Sequence, residues 1–519
     1  MTTAVGVGDN GENIPRRERR FPRSERRMAM EKEKSRRRSW IPRSVGVLWG
    51  RLFLLVFPLT LIFLAFAIPL SVKTVRSDMR SREEEILAAH GALLKGLREE
   101  TASISGPVLR QEHMTDRARR VVLDEMVRTV FQAVGEQGAA MTENGEILAS
   151  SGTVPTPEFP EEEGHTAGRL VFLRGNDVQK RRTEETDRIL YTAVTAVELE
   201  SRRYVVFTGQ DVLAAYESAE RAGTVCRRIY GILLAAVVAG GVVGSVLLLV
   251  RGRRRGRRPG GRGKRISPRF GLILAGALCL AAAAGLLLPQ MSAAMARGGF
   301  RKTQTMEESG LPVSEQALAS VPDGAEMVRM LTTRAYADAE FGVEPYVSAV
   351  DGDGDGIDDQ TDILQSALAY VAKKPAYLSE YYTTGYPTGN NGVCTDVIAY
   401  GFLGAGYDLM SLVWEDVLMN PAYYPNSTDE NIDFRRVEND LSFFSRNAAE
   451  SLTTDVYDTD AWRAGDIVVF EKHIGFVADV RNYKGVPWLL HHGREGQTEY
   501  VEDHLEESRD LIVAHFRWR

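Results

Sequence analysis

Uncharged apolar stretches alternate along the chain with stretches in which polar and apolar residues are mixed. Residues 52–72, 229–250 and 270–289 contain no charged side chain, and each is close to the roughly 20 residues that a helix needs to cross a bilayer. The first stretch is longer than the apolar region of a cleaved signal peptide, which spans about 7 to 15 residues. We therefore predict three transmembrane helices, over 45–72, 229–250 and 270–289.

The pattern near the end of the chain predicts helices followed by strands. A loop rich in Gly, Asn and Pro ends at Gly392, and an apolar-periodic run begins at Val397. A helix is therefore expected to begin at Cys394. Further on, runs of apolar residues bounded by turn residues predict strands over 465–470, 473–477 and 487–492.

Two histidines occupy matching positions in this predicted sheet. His473 begins one strand, and His491 lies near the end of the next. A turn at 481–485 joins these strands as a hairpin, which can bring both imidazoles to one end of the sheet. An α+β domain over 326–519 is the expected architecture.

Residues 73–228 predict a second folded region. A helix-type pattern is followed by short strand-type runs and by another helix-type pattern, which predicts a small α/β sensor-like domain. The order of these elements resembles the input region of a sensor histidine kinase. No histidine occurs between His165 and His473, and no glycine-rich lid for ATP follows, so we expect neither phosphotransfer nor ATP binding.

Charge is segregated along the chain, although the formal net charge is only -6. Lys and Arg crowd residues 16–43 and 251–269, and such clusters beside apolar spans face the cytoplasm. Anionic membrane lipid is their expected partner. Nucleic acid is not, because no aromatic platform or helix-turn-helix pattern accompanies them.

These observations predict a multi-pass protein of the cell membrane whose two folded regions are extracytoplasmic. The expected organisation is a basic cytoplasmic segment (1–44), a transmembrane helix (45–72), the sensor-like domain (73–228), a transmembrane helix (229–250), a basic cytoplasmic loop (251–269), a transmembrane helix (270–289), a tether (290–325) and the C-terminal domain (326–519).

The chemistry of the C-terminal domain centres on its single cysteine. Of three cysteines, Cys226 and Cys279 lie at the edge of one predicted span and inside another, so Cys394 has no partner for a disulfide. A helix N-terminus stabilises a thiolate and can lower a cysteine pKa from about 8.5 towards roughly 3.5 to 7.5. With a histidine as base, such a thiol is an activated nucleophile. A buried structural cysteine is the alternative.

An acidic loop ahead of that helix predicts a structural calcium site. Counted from Asp351, ligand types fall at the positions of a twelve-residue calcium loop, and Gly356 provides the sharp turn at position six. The candidate ligands are Asp351, Asp353, Asp355, the carbonyl of Ile357, Asp359 and Asp362. An Asp replaces the usual Glu at the last position. A solvated acidic turn without a metal is the alternative.

Five separated motifs, in this order, resemble the domain-of-unknown-function family DUF1287: Gly392 to Val397, Asn431 to Val437, Gly465 to Val468, His473 to Gly475, and Leu489 to His491. That family is similar to the NlpC-type branch of the papain-like cysteine peptidases.

The resemblance implies a papain-like fold and a catalytic triad. Cys394 would be the nucleophile, His473 the general base and His491 the orienting third member. The family usually has Asn where this chain has His492, which leaves open which of the two histidines faces the site. Tyr386 is a candidate for oxyanion support, as in relatives of the superfamily.

The predicted function is that of a membrane-anchored extracytoplasmic cysteine hydrolase that acts on amide bonds, with cell-wall peptide as the substrate that the resemblance implies. The alternative is a non-catalytic membrane protein that binds the cell wall or senses a ligand.

Overall fold

The computed structural model describes residues 77, 80–135, 138–151, 168–174, 189–211, 228, 232, 303–306, 310–448, 450–508 and 511–518. Apart from residues 77, 228 and 232, these belong to one compact unit that combines Asp78–Tyr216 with Phe300–Arg519. Helices in this unit pack on antiparallel sheets, so its helix and sheet content is mixed, as the sequence predicts.

Local sequence signals account for where the helices begin and end. Thr115 accepts a hydrogen bond from Ala118 N–H ahead of the second helix, and Gly135 ends that helix with a φ of 70°. The α-helices of the described residues are α1 (80–104), α2 (Asp116–Val134), α3 (Glu315–Leu318), α4 (Gly324–Thr333), α5 (Asp359–Val371), α6 (Cys394–Gly404), α7 (Leu409–Met419), α8 (Glu430–Asp433) and α9 (Val437–Asn447).

Two antiparallel sheets organise the described residues. The first has the order β2-β1-β5-β4-β3-β6 and the second the order β10-β15-β11-β12-β13-β14, with β7 paired to β12; β8 and β9 form a parallel pair. The strands are β1 (Gly138–Thr142), β2 (Ile147–Ser151), β3 (Gly168–Arg174), β4 (Ile189–Leu199), β5 (Arg202–Asp211), β6 (Thr303–Met306), β7 (Tyr336–Ala337), β8 (Ala376–Tyr377), β9 (Asn391–Gly392), β10 (Glu450–Ser451), β11 (Ile467–Phe470), β12 (Ile474–Arg481), β13 (Pro487–Leu490), β14 (Val501–Glu502) and β15 (Ile512–Arg517).

Helices α1 and α2 bury their apolar faces in the same core as the first sheet. Leu97 of α1, Met126 of α2 and Val206 of β5 are fully buried in that core. His90 of α1 is buried too, and its two ring nitrogens lie 3.1 and 2.8 Å from the hydroxyls of Thr208 and Thr195. Burial lowers the pKa of His90 to about 3, so it is a neutral, hydrogen-bonded core residue.

Residues near the start of the predicted C-terminal domain pack into this first core. Met327 and Leu331 of α4 are buried in the core that α2 also lines, and Tyr336 and Phe341 follow them. Strand β6, which lies within the predicted tether, pairs with β3 of the first sheet. The two folded regions therefore share a hydrophobic core.

The second sheet carries helices α5 and α6 on one face. Phe402 of α6 packs on Phe476 of β12, with ring centroids 6.5 Å apart. The two elements come close at Gly401, because a Cβ there would lie 2.8 Å from a ring carbon of Phe476 and 3.0 Å from the carbonyl oxygen of Ile363. This contact holds the C-terminal half of α6 against the sheet and α5.

The prediction of three transmembrane helices is wrong for the part of the chain that the structure describes. No single helix there is both long and apolar enough to cross a bilayer. Helices α1 and α2 are long, but charged residues interrupt them and their apolar faces are buried in the core. Apart from residue 232, the stretches 52–72, 229–250 and 270–289 lie outside the described residues. The multi-pass membrane localisation that rested on these stretches is corrected together with the helices.

Candidate functional site

Cys394 is the first residue of α6, and a buried ion pair holds the start of that helix. Val393 N–H donates to Asp396 Oδ2 at 2.8 Å. Arg435 binds the same carboxylate in a bidentate manner, with Nε 2.7 Å from Oδ1 and Nη2 2.8 Å from Oδ2. Both side chains are almost completely buried. Two residues from separate motifs thus fix the helix turn that carries the cysteine.

The sulfur of Cys394 lies beside the strand that His473 precedes. The backbone N–H of Ile474, the residue after His473, hydrogen-bonds to the thiol, as does that of Thr395. Ile474 begins β12, which packs against α6. The fold therefore brings the thiol to the backbone of the residue that follows His473, although Cys394 and His473 lie far apart along the chain.

His473 and His491 meet at one end of the second sheet. Nε2 of His473 lies 2.7 Å from Nδ1 of His491, a hydrogen bond between the two rings. The antiparallel pairing of Phe476 with Leu490 produces this contact, because His473 precedes β12 and His491 follows β13. With Nε2 engaged, Nδ1 is the nitrogen of His473 that remains for the thiol proton.

His492 has different neighbours. Its ring packs edge-on against Tyr377 and Tyr500, with centroid distances of 5.2 and 5.1 Å. Its Nδ1 has no hydrogen-bond partner among the described residues. His491 is thus the histidine that contacts His473, and His492 belongs to an aromatic cluster.

The hydrogen-bonded chain continues beyond the predicted triad. His491 Nε2 lies 3.1 Å from Glu502 Oε2, and Arg494 donates to both carboxylate oxygens of Glu502. Glu502 reaches this position because β14 pairs with β13, opposite Leu489. Neither Glu502 nor Arg494 was a candidate from the sequence, since no local pattern shows that β14 pairs with β13.

Burial keeps the thiol and the imidazole neutral. It raises the pKa of Cys394 to about 12, against the lowering that hydrogen bonds from Ile474 and Thr395 bring. Burial also lowers the pKa of His473 to about 3 and that of His491 to about 4. The lowered thiol pKa expected from the helix N-terminus is therefore not found, because desolvation outweighs it.

A buried carboxyl group lies close enough to act on the same thiol. Asp440 of α9 is fully buried, and neither of its carboxyl oxygens has a hydrogen-bond partner within the described part of the chain. Burial, reinforced by the charge of Asp396, raises the pKa of Asp440 well above its ordinary value. Its charge would in turn raise the pKa of Cys394. Asp440 therefore keeps its proton to a higher pH than an ordinary aspartate does.

The hydroxyl of Tyr386 has another partner. It donates to Asp408 Oδ1 at 2.7 Å, and the ring packs against Phe434 and Tyr400. Burial, together with this carboxylate, raises the pKa of Tyr386. The hydroxyl proton is thus committed to Asp408, and a role of Tyr386 in oxyanion support stays a prediction.

The acidic loop folds so that three of its carboxylates approach one another. Asp351, Asp353 and Asp355 each offer an oxygen within 4.8 Å of the others. Asp351 accepts hydrogen bonds from Gly356 N–H, and Ile357 N–H donates to Asp355. The calcium ion itself remains a prediction.

The last two candidate ligands are placed differently. Asp359 is fully buried and accepts hydrogen bonds from Gly352 N–H at 2.7 Å and from the Tyr407 hydroxyl at 2.5 Å. Asp362 has a raised pKa because of burial and because of the charges of the other loop carboxylates, Asp355 first. A cation among these groups would remove that repulsion.

Fold and site together define an α+β protein with a buried cysteine at a helix start beside a hydrogen-bonded pair of histidines. The family described as Domain of unknown function (DUF1287) matches residues 364–518. The uncharacterized protein YijF of Escherichia coli (strain K12) is 35% identical over 154 residues, which are 28% of this chain and 72% of YijF. This chain therefore belongs to the DUF1287 family through its C-terminal region. No solved structure matches it.

Proposed function

We propose that the C-terminal region is a cysteine hydrolase of the NlpC-type papain-like kind, which cleaves amide bonds. The observation that carries the proposal is the hydrogen-bonded pair of His473 and His491, with the backbone N–H of Ile474, the residue after His473, bonded to the Cys394 thiol at the start of α6. A thiol, a base and a group that orients the base are the parts that nucleophilic acyl transfer requires.

In the proposed reaction the proton moves as the sulfur attacks. His473 Nδ1 takes the thiol proton of Cys394 while the sulfur bonds to the amide carbonyl carbon. Backbone N–H groups at the start of α6 stabilise the oxyanion. The C–N bond then breaks, and the amine leaves with the proton from His473. Water, deprotonated by His473, cleaves the thioester, which releases the carboxylic acid and restores the thiol.

The neutral resting state determines the role of His473. Because burial disfavours both the thiolate and the imidazolium, His473 acts as a general base during attack rather than as the partner of a standing ion pair. The oxyanion and the imidazolium then form together, which limits the net charge that the dry site must hold.

Cell-wall peptide is the substrate that we propose. This choice rests on the resemblance to the NlpC-type branch and not on any contact in the structure, since a fold alone does not specify a reaction. The same reaction would cleave an amide bond in a substrate of another class.

The test uses the full chain and a mixture of peptides released from a bacterial cell wall. We expect new amino groups to form, and a hydroxylamine-sensitive acyl adduct to appear on the Cys394 peptide in mass spectra. Cys394→Ala and His473→Ala should abolish product formation. Lys472→Ala, which changes the exposed neighbour of His473, is the matched control and should retain activity.

Product formation by Cys394→Ala at the wild-type rate would exclude the thiol mechanism. Peptide binding with neither cleavage nor acylation would favour the alternative, a non-catalytic protein that binds the cell wall.

A further inference from the structure

The two-histidine hydrogen bond does not by itself define which nitrogen is the base. A hydrogen atom between His473 Nε2 and His491 Nδ1 can belong to either ring. If His491 Nδ1 carried it, a neutral His473 would hold its own proton on Nδ1, the nitrogen that the thiol needs. Something outside the pair must select one arrangement.

We infer that Glu502, held by Arg494, selects the tautomers of both histidines and makes His473 Nδ1 the proton acceptor for Cys394. Glu502 is thus a positioning residue that acts through His491, and this inference rests on the proposed function.

The hydrogen bonds of Glu502 with Arg494 and His491 allow only one assignment of donors and acceptors. Arg494 can only donate, and it donates through Nη1 to Oε2 at 2.7 Å and through Nη2 to Oε1 at 2.5 Å. An ionised Glu502 can only accept, so His491 Nε2, at 3.1 Å, must carry a hydrogen. The hydrogen bonds from Arg494, the largest cause, lower the pKa of Glu502, and the carboxylate is therefore ionised at neutral pH.

The hydrogen on His491 Nε2 determines which nitrogen of His473 can accept the thiol proton. A neutral His491 with its hydrogen on Nε2 has a lone pair on Nδ1, which can only accept. His473 must then donate from Nε2, and its Nδ1 bears the free lone pair. Each hydrogen bond from Arg494 through Glu502 and His491 to His473 then has one donor and one acceptor. No other placement of hydrogen atoms on two neutral rings achieves this.

The negative charge of Glu502 also stabilises the imidazolium that forms when His473 accepts the thiol proton. When His473 accepts the thiol proton, the new imidazolium donates to His491, and the carboxylate of Glu502 lies one ring further out. The His491 side chain is only 2% exposed, so solvent screens this interaction weakly. The other titratable groups around His491 are His473, Arg494 and His504, which stacks on it with centroids 5.0 Å apart. Glu502 is the anion in this group.

A second cluster of a histidine, a carboxylate and an arginine occurs among the described residues. It differs from the cluster of His491, Glu502 and Arg494 because no cysteine belongs to it. His515 Nε2 lies 3.0 Å from Asp466 Oδ2, and Arg517 binds both oxygens of Asp466. The other nitrogen of His515 is bonded to the carbonyl of Thr453 at 2.8 Å. Both ring nitrogens of His515 therefore serve the fold, whereas His473 keeps one for the thiol.

The test measures alkylation of Cys394 by iodoacetamide against pH in the full chain, with the Cys394 peptide quantified by mass spectrometry so that Cys226 and Cys279 do not interfere. General-base transfer of the thiol proton to His473 during attack produces a rate plateau that is independent of pH between roughly pH 5 and 8, because thiol and imidazole are both neutral throughout that range. His473→Ala should remove the plateau and leave a rate that rises with pH.

We expect Glu502→Gln to lower the plateau at least about ten-fold, since a charged hydrogen-bond acceptor is lost and the amide N–H₂ opposes the Nε2 hydrogen of His491. Glu502→Asp keeps the charge and should restore part of the plateau. Glu499→Gln removes an exposed carboxylate from the same segment and should leave it unchanged.

The outcomes separate this inference from the proposed function. A plateau that requires His473 but is the same in Glu502→Gln would overturn the role of Glu502 and leave the hydrolase proposal standing. Absence of a plateau in the wild type, or a plateau that survives His473→Ala, would overturn the hydrolase mechanism and the role of Glu502 with it. If Glu502→Gln melts at a lower temperature, Glu502→Asp decides: a plateau as low as that of Glu502→Gln counts against the inference.

Discussion

Asp440 and Cys394 illustrate at the scale of single residues how burial sets protonation. Both are buried, and burial raises the pKa of each. The folded protein therefore holds a proton on Asp440 at a pH where the unfolded chain, with an ordinary pKa of 3.8, has released it. The stability that Asp440 contributes is fully present below pH 3.8 and is lost as the pH rises towards its raised pKa.

We therefore expect Asp440→Asn to stabilise the protein at neutral pH. The gain in free energy of unfolding should grow by about 1.4 kcal/mol per pH unit above about pH 4, until the pH reaches the raised pKa of Asp440. Denaturant unfolding at several pH values measures it. Asp458→Asn, at an exposed position, is the control. A gain that does not vary with pH would contradict a raised pKa for Asp440.

The ion pair between Asp396 and Arg435 belongs to the same scale. Asp396 lies in the motif from Gly392 to Val397, and Arg435 lies in the motif from Asn431 to Val437. In the structure each satisfies the other's buried charge, and Asp396 also accepts from Val393 N–H. A buried charge without its partner costs several kcal/mol, so loss of either side chain should destabilise the start of α6.

At the scale of elements, the contact between α6 and β12 positions the thiol. Helix α6 carries Cys394 at its first residue, and Gly401 of the same helix allows the strand to approach. Displacement of this helix would move the sulfur away from His473 without changing either side chain.

Gly401→Ala tests that contact. The added Cβ would meet Phe476 at 2.8 Å and the Ile363 carbonyl oxygen at 3.0 Å, so helix and strand must separate. We expect a loss of about 1 to 3 kcal/mol in free energy of unfolding and a lower rate of Cys394 alkylation. Gly106→Ala, where a Cβ meets nothing within 4 Å, is the matched control. Equal behaviour of the two variants would show that the α6–β12 contact is not tight.

The acidic loop is the second element that permits a direct test. If calcium binds it, millimolar calcium should raise the melting temperature of the full chain, by an amount set by the ratio of ligand concentration to Kd. Asp353→Asn should reduce this shift, because it removes one of three clustered carboxylates. Exposed Asp458→Asn should not. The same shift with and without Asp353 would exclude the loop as the binding site.

At the scale of the whole molecule, the two folded regions are continuous. Leu331 and Met327 of α4 lie in a core with residues of α1 and α2, and Tyr483 donates to Gln111 Oε1 across the same junction. A perturbation in this core should therefore destabilise both regions.

Leu331→Ala tests this continuity. We expect it to cost about 2 to 5 kcal/mol, as for other buried leucines, and to increase hydrogen exchange in α2 as well as in α4. Met330→Ala, which alters a neighbour that is 37% exposed, should have little effect. Increased exchange confined to α4 would indicate that the two regions unfold independently.

The sequence by itself determined the features that depend on neighbours along the chain. The start of α6 at Cys394, the strands that place His473 and His491 at corresponding ends, and the crowding of carboxylates from Asp351 to Asp355 all follow from local patterns. It also identified the family, because motif residues and their order are properties of the sequence.

Only the tertiary structure decided what each group can do. The pairing of β13 with β14 brings Glu502 to His491, and burial gives Cys394 a high pKa where the helix start alone predicts a low one. The described residues likewise lack the membrane-spanning helix that apolar stretches elsewhere suggested. Strand pairing and desolvation depend on residues far apart in the chain, so local patterns contain neither.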